Sequence, residues 1–266
     1  MSFSEQIVYA LTKPSEYKEL IKLKTSRFVA FAIVICLFLG VMTFLVPVGT
    51  EISEFNGFTN LFNKRMGEVS ATNGILHVEE NVDVCLDSTY ILFGDRTHIL
   101  IDTDFASIPD SLFQEDGFYW AVGSMYVRNV YVYNHEIYNE STFTMNLPEG
   151  FNNQMLESAI PGIYIGIIIM FVILSVSYFI KYAFFALVLS FLINSVNHQL
   201  NLGMTNGQVF QLCFYGESLG MLISNFNNAA GLLDSFIVSI ITVFVSIHFI
   251  TKAVVLMNRR NQVWYI

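Results

Sequence analysis

Long apolar stretches alternate with polar ones along this chain. Phe28–Val48 and Ile160–Ile180 each supply 21 residues without a charge, enough for a membrane span of about 20 residues. Tyr182–Val196 is a third run, which reaches span length by extending to Leu200. A fourth covers residues 232–252, with Asp234 near its start. The predicted elements are therefore a polar segment 1–27, spans at 28–48, 160–180, 182–200 and 232–252, and a tail 253–266. Lys181 marks a tight turn between the second and third spans. The segment 208–226 (QVFQLCFYGESLGMLISNF) is apolar enough to enter the membrane. A fifth full span would put Arg259 and Arg260 on the wrong face, so it reads as a re-entrant or interfacial helix. The first run is too long for the apolar region of a cleavable signal peptide.

Between the first two spans the pattern changes. Residues 49–157 read as an α+β, mainly antiparallel domain. Phe55, Phe58, Phe62 and Met66 have helical spacing, with Gly67 as terminator. Val82, Val84 and Leu86 alternate with polar residues as in a half-buried strand. Thr89–Phe93 and Thr97–Ile101 flank a turn at Gly94-Asp95-Arg96. Ser107–Gly117 suggests a short helix. Phe118–Val122 and Met125–Tyr133 flank Gly123-Ser124, and Asn134-His135 makes a further turn. Before the first span, Phe3, Ile7 and Leu11 form an apolar face, Pro14 breaks it, and Ser15 is placed to cap a second helix running into the span.

Charge adds orientation. Residues 49–157 hold 17 of the 22 acidic residues but only four of the 13 basic ones. Lys13, Lys18, Lys22, Lys24 and Arg27 precede span 1, and Lys252, Arg259 and Arg260 lie at and beyond the end of the last span. By the positive-inside rule both termini are cytoplasmic and 49–157 lies outside. The mean hydropathy of +0.53 and a charged fraction of 13% are those of a lipid-exposed chain, since soluble domains carry about 25% charged residues. The net charge of −9 argues against nucleic acid as a partner, because phosphate binding needs clustered Lys and Arg. The expected surroundings are the lipid bilayer of a bacterial cytoplasmic membrane and a membrane-protein partner or second copy.

Chemistry is sparse. Cys36, Cys85 and Cys213 lie in three separate segments with no zinc-type spacing. No nucleophile elbow, metalloprotease helix or phosphate-binding loop occurs. The reading assigns no catalytic residue, no cofactor and no metal site. His77, His98 and His135 are expected on solvent-facing strand positions. Asp102 and Asp104 form a candidate acidic site, although an Asp after a strand more often turns the chain. A polar cavity is expected within the helical part. Asn194, Asn197, His198 and Asn201 line one face of span 3. Ser235, Ser239, Thr242 and Ser246 form a stripe on span 4, and Glu217 lies in the re-entrant segment. Such groups are costly in lipid and often functional. The bland alternative is helix packing and an interface with water. Gly162 and Gly166 have the small-xxx-small spacing of a packing surface.

The order of parts carries a resemblance. The opening SFSEQIVYALTKPSEYKEL, the strand Asn73-Gly74-Ile75-Leu76, the stretch ILIDTD (Ile99–Asp104) and the embedded F-x-x-x-x-Y-G-E-S-L segment together resemble an uncharacterised bacterial multi-pass membrane-protein family. Some of its members are labelled maltodextrin-utilisation proteins. That label implies an accessory role near a carbohydrate transporter. The expectation is a non-enzymatic accessory or scaffold protein whose outer domain binds a partner or envelope component. A ligand sensor signalling through span 1 is one alternative. A small transporter or membrane-embedded enzyme using Glu217 and His198 is the other.

Overall fold

Ser2 starts the first helix. Its hydroxyl accepts the Glu5 amide at 3.2 Å while the Glu5 carboxylate accepts the Ser2 amide at 2.6 Å, a reciprocal cap that satisfies two otherwise orphaned donors. The resulting α1 (Phe3–Thr12) buries Gln6 and Ala10. The structure is a computed structural model and describes residues 1–54, 56–86, 97–230 and 235–262. It has two compact units. One comprises Met1–Met42 with Phe171–Ile266, the other Thr43–Met170.

In the helical unit, the continuous helix expected from Ser15 into the first span is interrupted. Pro14–Glu16 make a single 3-10 turn, α2 covers only Tyr17–Leu20, and α3 (Thr25–Gly40) starts afresh. Tyr17 and Leu20 are fully buried, and the Tyr17 hydroxyl donates to the Ala10 carbonyl at 2.6 Å. These anchors fold the segment back onto α1. Beyond α3 the backbone widens into a π-turn, Val41–Leu45, before α4 (Val46–Glu54). Pro47 offers no N–H to the Thr43 carbonyl, which accounts for the widening.

The turn expected at Lys181 does not exist. A single helix, α6, runs from Asn153 to Gln199, so the stretches 160–180 and 182–200 are parts of one element. The physical reason is local: no Gly, Pro, Asn or Asp occurs between residues 167 and 193, and these are the residues that favour tight turns. At 1.5 Å per residue its 47 residues extend about 70 Å. The segment 208–226 is helical throughout. It belongs to α7 (Asn206–Ala230), a continuous helix of 25 residues, about 37 Å long. The last helix is α8 (Ser235–Gln262). Among the described residues, three stretches are long and apolar enough to cross a membrane: Thr25–Thr50, Asn153–Gln199 and Phe236–Arg259. The less apolar α7 is buried along most of its length, with Leu212, Cys213, Phe214 and Tyr215 fully inside. Phe28 and Phe31 of α3 pack on Tyr215 with ring centroids 5.6 and 4.9 Å away. From α1, Gln6 donates to the Tyr215 hydroxyl at 2.9 Å.

The second unit is α+β, as expected. After α5 (Phe58–Asn60) and a π-turn, Leu61–Arg65, Gly67 takes a positive φ of 63° and ends the helical stretch. A hairpin, β1 (Val69–Thr72) with β2 (Ile75–Val78), turns at Asn73-Gly74. The main sheet has the order β3-β4-β5-β6-β7, with β3 at Val82–Leu86, β4 at Thr97–Ile101, β5 at Gly117–Val122, β6 at Tyr126–Tyr133 and β7 at Glu136–Thr144. All neighbours are antiparallel except β4 and β5. That parallel pair requires a crossover, which contributes Ile108 and Phe113 to a core with Leu100, Tyr119, Ala121, Val130 and Val132. The expected helix inside it shrinks to a 3-10 turn, Asp110–Leu112. Asn134 and His135 both have positive φ, 54° and 62°, the two-residue hairpin turn whose twist matches that of its strands. The expected strand Thr89–Phe93, its turn at Gly94-Asp95-Arg96, and the positions Phe55, Asp87 and Asp234 lie outside the described residues.

Candidate functional site

Gly216 and Gly220 bring α7 against α8. A Cβ added at Gly216 would lie 2.3 Å from Cγ1 of Ile250, and one at Gly220 would lie 2.8 Å from both the Ser246 Oγ and the Thr242 Cγ2. This is the close approach that a small-xxx-small spacing permits. Glu217 lies between the two glycines in sequence. It faces a cavity of about 300 Å³ bounded by α6, α7 and α8.

The polar lining consists of Lys181, Glu217, Ser224, Ser239, Thr242 and Ser246. Glu217 is 5% exposed, and neither carboxylate oxygen has a hydrogen-bond partner. Two of the lining hydroxyls have their protons committed. Ser246 donates to the Thr242 carbonyl at 2.9 Å, and Thr242 donates to the Gly220 carbonyl at 3.5 Å. Lys181 shares the cavity without pairing with Glu217; its ammonium lies 5.5 Å from the centre of the Tyr182 ring. A buried carboxyl without partners costs several kcal/mol if charged, so the site calls for a proton, a cation or a strong donor. Phe185, Val188, Val243 and Ile247 also line the cavity and are exposed, so it opens sideways through an apolar mouth between α6 and α8.

Glu217, Ser239 and Thr242 all line this cavity. The asparagine cluster expected with them stands apart. Asn197 is 4% exposed, donates to the Met204 carbonyl at 2.9 Å and accepts the Met204 amide at 3.1 Å. Asn194 donates to Asn206 at 2.9 Å. Asn201, with a φ of 50°, turns the chain out of α6. These residues close the connection from α6 to α7, and His198 is exposed there. Asp102 is also structural, since its Oδ1 accepts the Asp104 amide at 3.0 Å. Nothing among the described residues lies within 4 Å of a Cβ placed at Gly162 or Gly166, so the packing expected of that pair belongs to Gly216 and Gly220. The same spacing rule was available at Gly216-x-x-x-Gly220.

His77 and His135 are exposed, but His98 is buried rather than solvent-facing. It stacks on Tyr119 with centroids 4.3 Å apart and planes 9° from parallel. One group of metal-type donors converges among the described residues: an atom each of Cys85, His98 and Glu115, all within 4.8 Å of one another.

Residues 5–254 match the model of a family described as "Protein of unknown function (DUF1189)". No curated protein and no solved structure matches.

Proposed function

We propose a role for a chain that belongs to the DUF1189 family of proteins of unknown function: a non-enzymatic integral membrane protein that binds a cationic or hydrogen-bond-donating group at Glu217, inside the bilayer. The observation that carries this reading is the buried carboxyl of Glu217, with both oxygens unpartnered in a cavity. Ionisable groups in membrane segments are expensive and mark functional sites.

In this reading α3, α6, α7 and α8 cross the membrane, four crossings in all. Both termini, and the connection between α6 and α7, then share the cytoplasmic face. Phe210 and Phe214 near the start of α7 pack on Phe28 near the start of α3, with centroids 5.9 and 5.3 Å apart, so the two helices enter from one side. The basic residues flanking α3 and ending α8 agree with the positive-inside rule. The exposed apolar side chains of α6 extend from Tyr164 to Leu192, more than the ~30 Å hydrocarbon thickness requires, and tilt accommodates such an excess. Lys181 becomes an intramembrane cation at the cavity.

Labelling of the full-length protein in lipid nanodiscs with dicyclohexylcarbodiimide, an apolar carboxyl reagent, tests the site. The expected result is an adduct on Glu217, absent in Glu217→Gln, whose formation dodecylamine slows. An unmodified Glu217, or labelling indifferent to the amine, refutes the reading.

The accessory role has its own support in β7. This nine-residue strand is exposed at every position and lies at the edge of the sheet, with Ile137, Tyr138 and Phe143 displayed. Such an edge is a template for strand pairing with another chain. Crosslinks from this strand to a partner in intact cells should disappear in Tyr138→Lys/Phe143→Lys; crosslinks that survive the double substitution count against β7 as the docking edge.

A further inference from the structure

We propose that Cys85, His98 and Glu115 form a mononuclear binding site for a borderline divalent cation, Zn²⁺ above all. Cys85 and His98 are direct cross-strand partners in the β3–β4 pair. His98 in turn lies opposite Tyr119 in the parallel β4–β5 pair. The adjacent strands therefore hold a thiol beside an imidazole, and the strand positions fix the spacing.

Tyr119 organises the other two sides. Its ring stacks on His98 and sets the direction of the imidazole. Its hydroxyl accepts the Glu115 amide and donates to the Glu115 carbonyl, both at 3.0 Å. One side chain thus orients the histidine and anchors the backbone that carries the carboxylate, as supporting groups around metal sites do.

The separations fit a small ion. His98 Nε2 lies 3.9 Å from Cys85 Sγ and 4.0 Å from Glu115 Oε2. Tetrahedral zinc with ordinary bond lengths sets its donors roughly 3.4–3.6 Å apart. The two His98 distances need to close by about half an ångström and the thiol–carboxylate distance, at most 4.8 Å, by up to about 1.2 Å; both movements fall on Cys85 and Glu115, which are exposed, while His98 stays fixed. The donor chemistry selects the cation. A thiolate and an imidazole disfavour Ca²⁺ and Mg²⁺, and with a carboxylate they suit Zn²⁺ or Co²⁺. Cys36 and Cys213 are buried, whereas Cys85 is exposed. Cys85 is therefore the thiol that can meet an ion from solution. Binding would displace the thiol proton to solvent and leave a fourth position for water or a further donor.

The test is a cobalt titration of the full-length protein, purified in detergent and stripped with a chelator. One equivalent of Co²⁺ should produce a thiolate-to-cobalt charge-transfer band and the visible bands of a tetrahedral ion, and one equivalent of Zn²⁺ should bleach both. Cys85→Ser should abolish the charge-transfer band. Glu115→Gln, a near-isosteric change at an exposed side chain, should weaken binding by about tenfold or more. Overturning results are the absence of the band in folded wild-type protein, its persistence in Cys85→Ser, or unchanged affinity in Glu115→Gln.

Discussion

Replacing Gly216 by alanine should destabilise the helical unit, and Ile250 should be the cause. The new Cβ would sit 2.3 Å from Cγ1 and 3.1 Å from Cδ1 of Ile250, a side chain only 1% exposed and β-branched, hence stiff at χ1. Overpacking of this kind costs about 1–3 kcal/mol. Against that, alanine is better than glycine in a helix by about 1 kcal/mol. With a clash this close the upper part of the range applies, leaving a net loss of about 1–2 kcal/mol. Ile250→Ala alone should cost about 2–5 kcal/mol by opening a cavity. The double substitution should cost clearly less than the sum, because the alanine methyl occupies space the isoleucine vacated; a coupling of at least about 1 kcal/mol is expected. Reversible unfolding of the four proteins in mixed micelles would measure the cycle. Gly162→Ala is the control. It makes the same chemical change where no Cβ contact exists, so it should cost nothing. Additive costs in the cycle, or equal losses at Gly216 and Gly162, would refute the packing argument.

Asn197→Ala should cost about 1–3 kcal/mol, because it strands the buried bonds to Met204, whereas His198→Ala on the exposed side should shift stability by less than about 0.5 kcal/mol; thermal unfolding compares them. Asp116 accepts the backbone amides of His135 and Asn134 at 2.7 and 3.0 Å, and the His135 bond first of all holds its carboxyl below the usual carboxylate range. Its folded value is depressed, so the added stability of this turn is complete above the unfolded carboxylate value of about 4 and is lost as pH falls through the lower folded value. Amide-exchange protection at Asn134 and His135 should follow that course, and Asp116→Asn should remove the dependence; protection unchanged through acid would contradict it.

Local chemistry made some elements readable from residues alone. The Asn134-His135 turn rests on two residue types that tolerate positive φ, and Gly67 ends a helical stretch for the same reason. Long-range facts were harder. A lone Lys181 between two span-length apolar runs imitates a cytoplasmic turn, yet only a chain-breaking residue would stop a helix there. In α7, Gln208, Gln211 and Glu217 dilute the apolar signal of a helix whose burial comes from its neighbours. Two glycine pairs share one spacing, and which of them meets another helix depends on how α7 and α8 align. The Cys85–His98 pairing spans 13 residues and rests on strand register, which a slip of one residue would reverse.

The polarity of α7 bears on how the chain is made. A charged residue at the middle of a helix costs about 3 kcal/mol on entry from the translocon, and Glu217 stands near the midpoint of α7. As it leaves the ribosome, α7 has no α8 to cover Gly216 and Gly220. Insertion of the crossing proposed above would then be a joint event. The segment would wait at the lateral gate until α8 emerges, and the two would enter as an antiparallel pair. A nascent chain released after Ala230 would leave α7 accessible to water-soluble thiol reagents at Cys213, although the finished protein buries that residue completely.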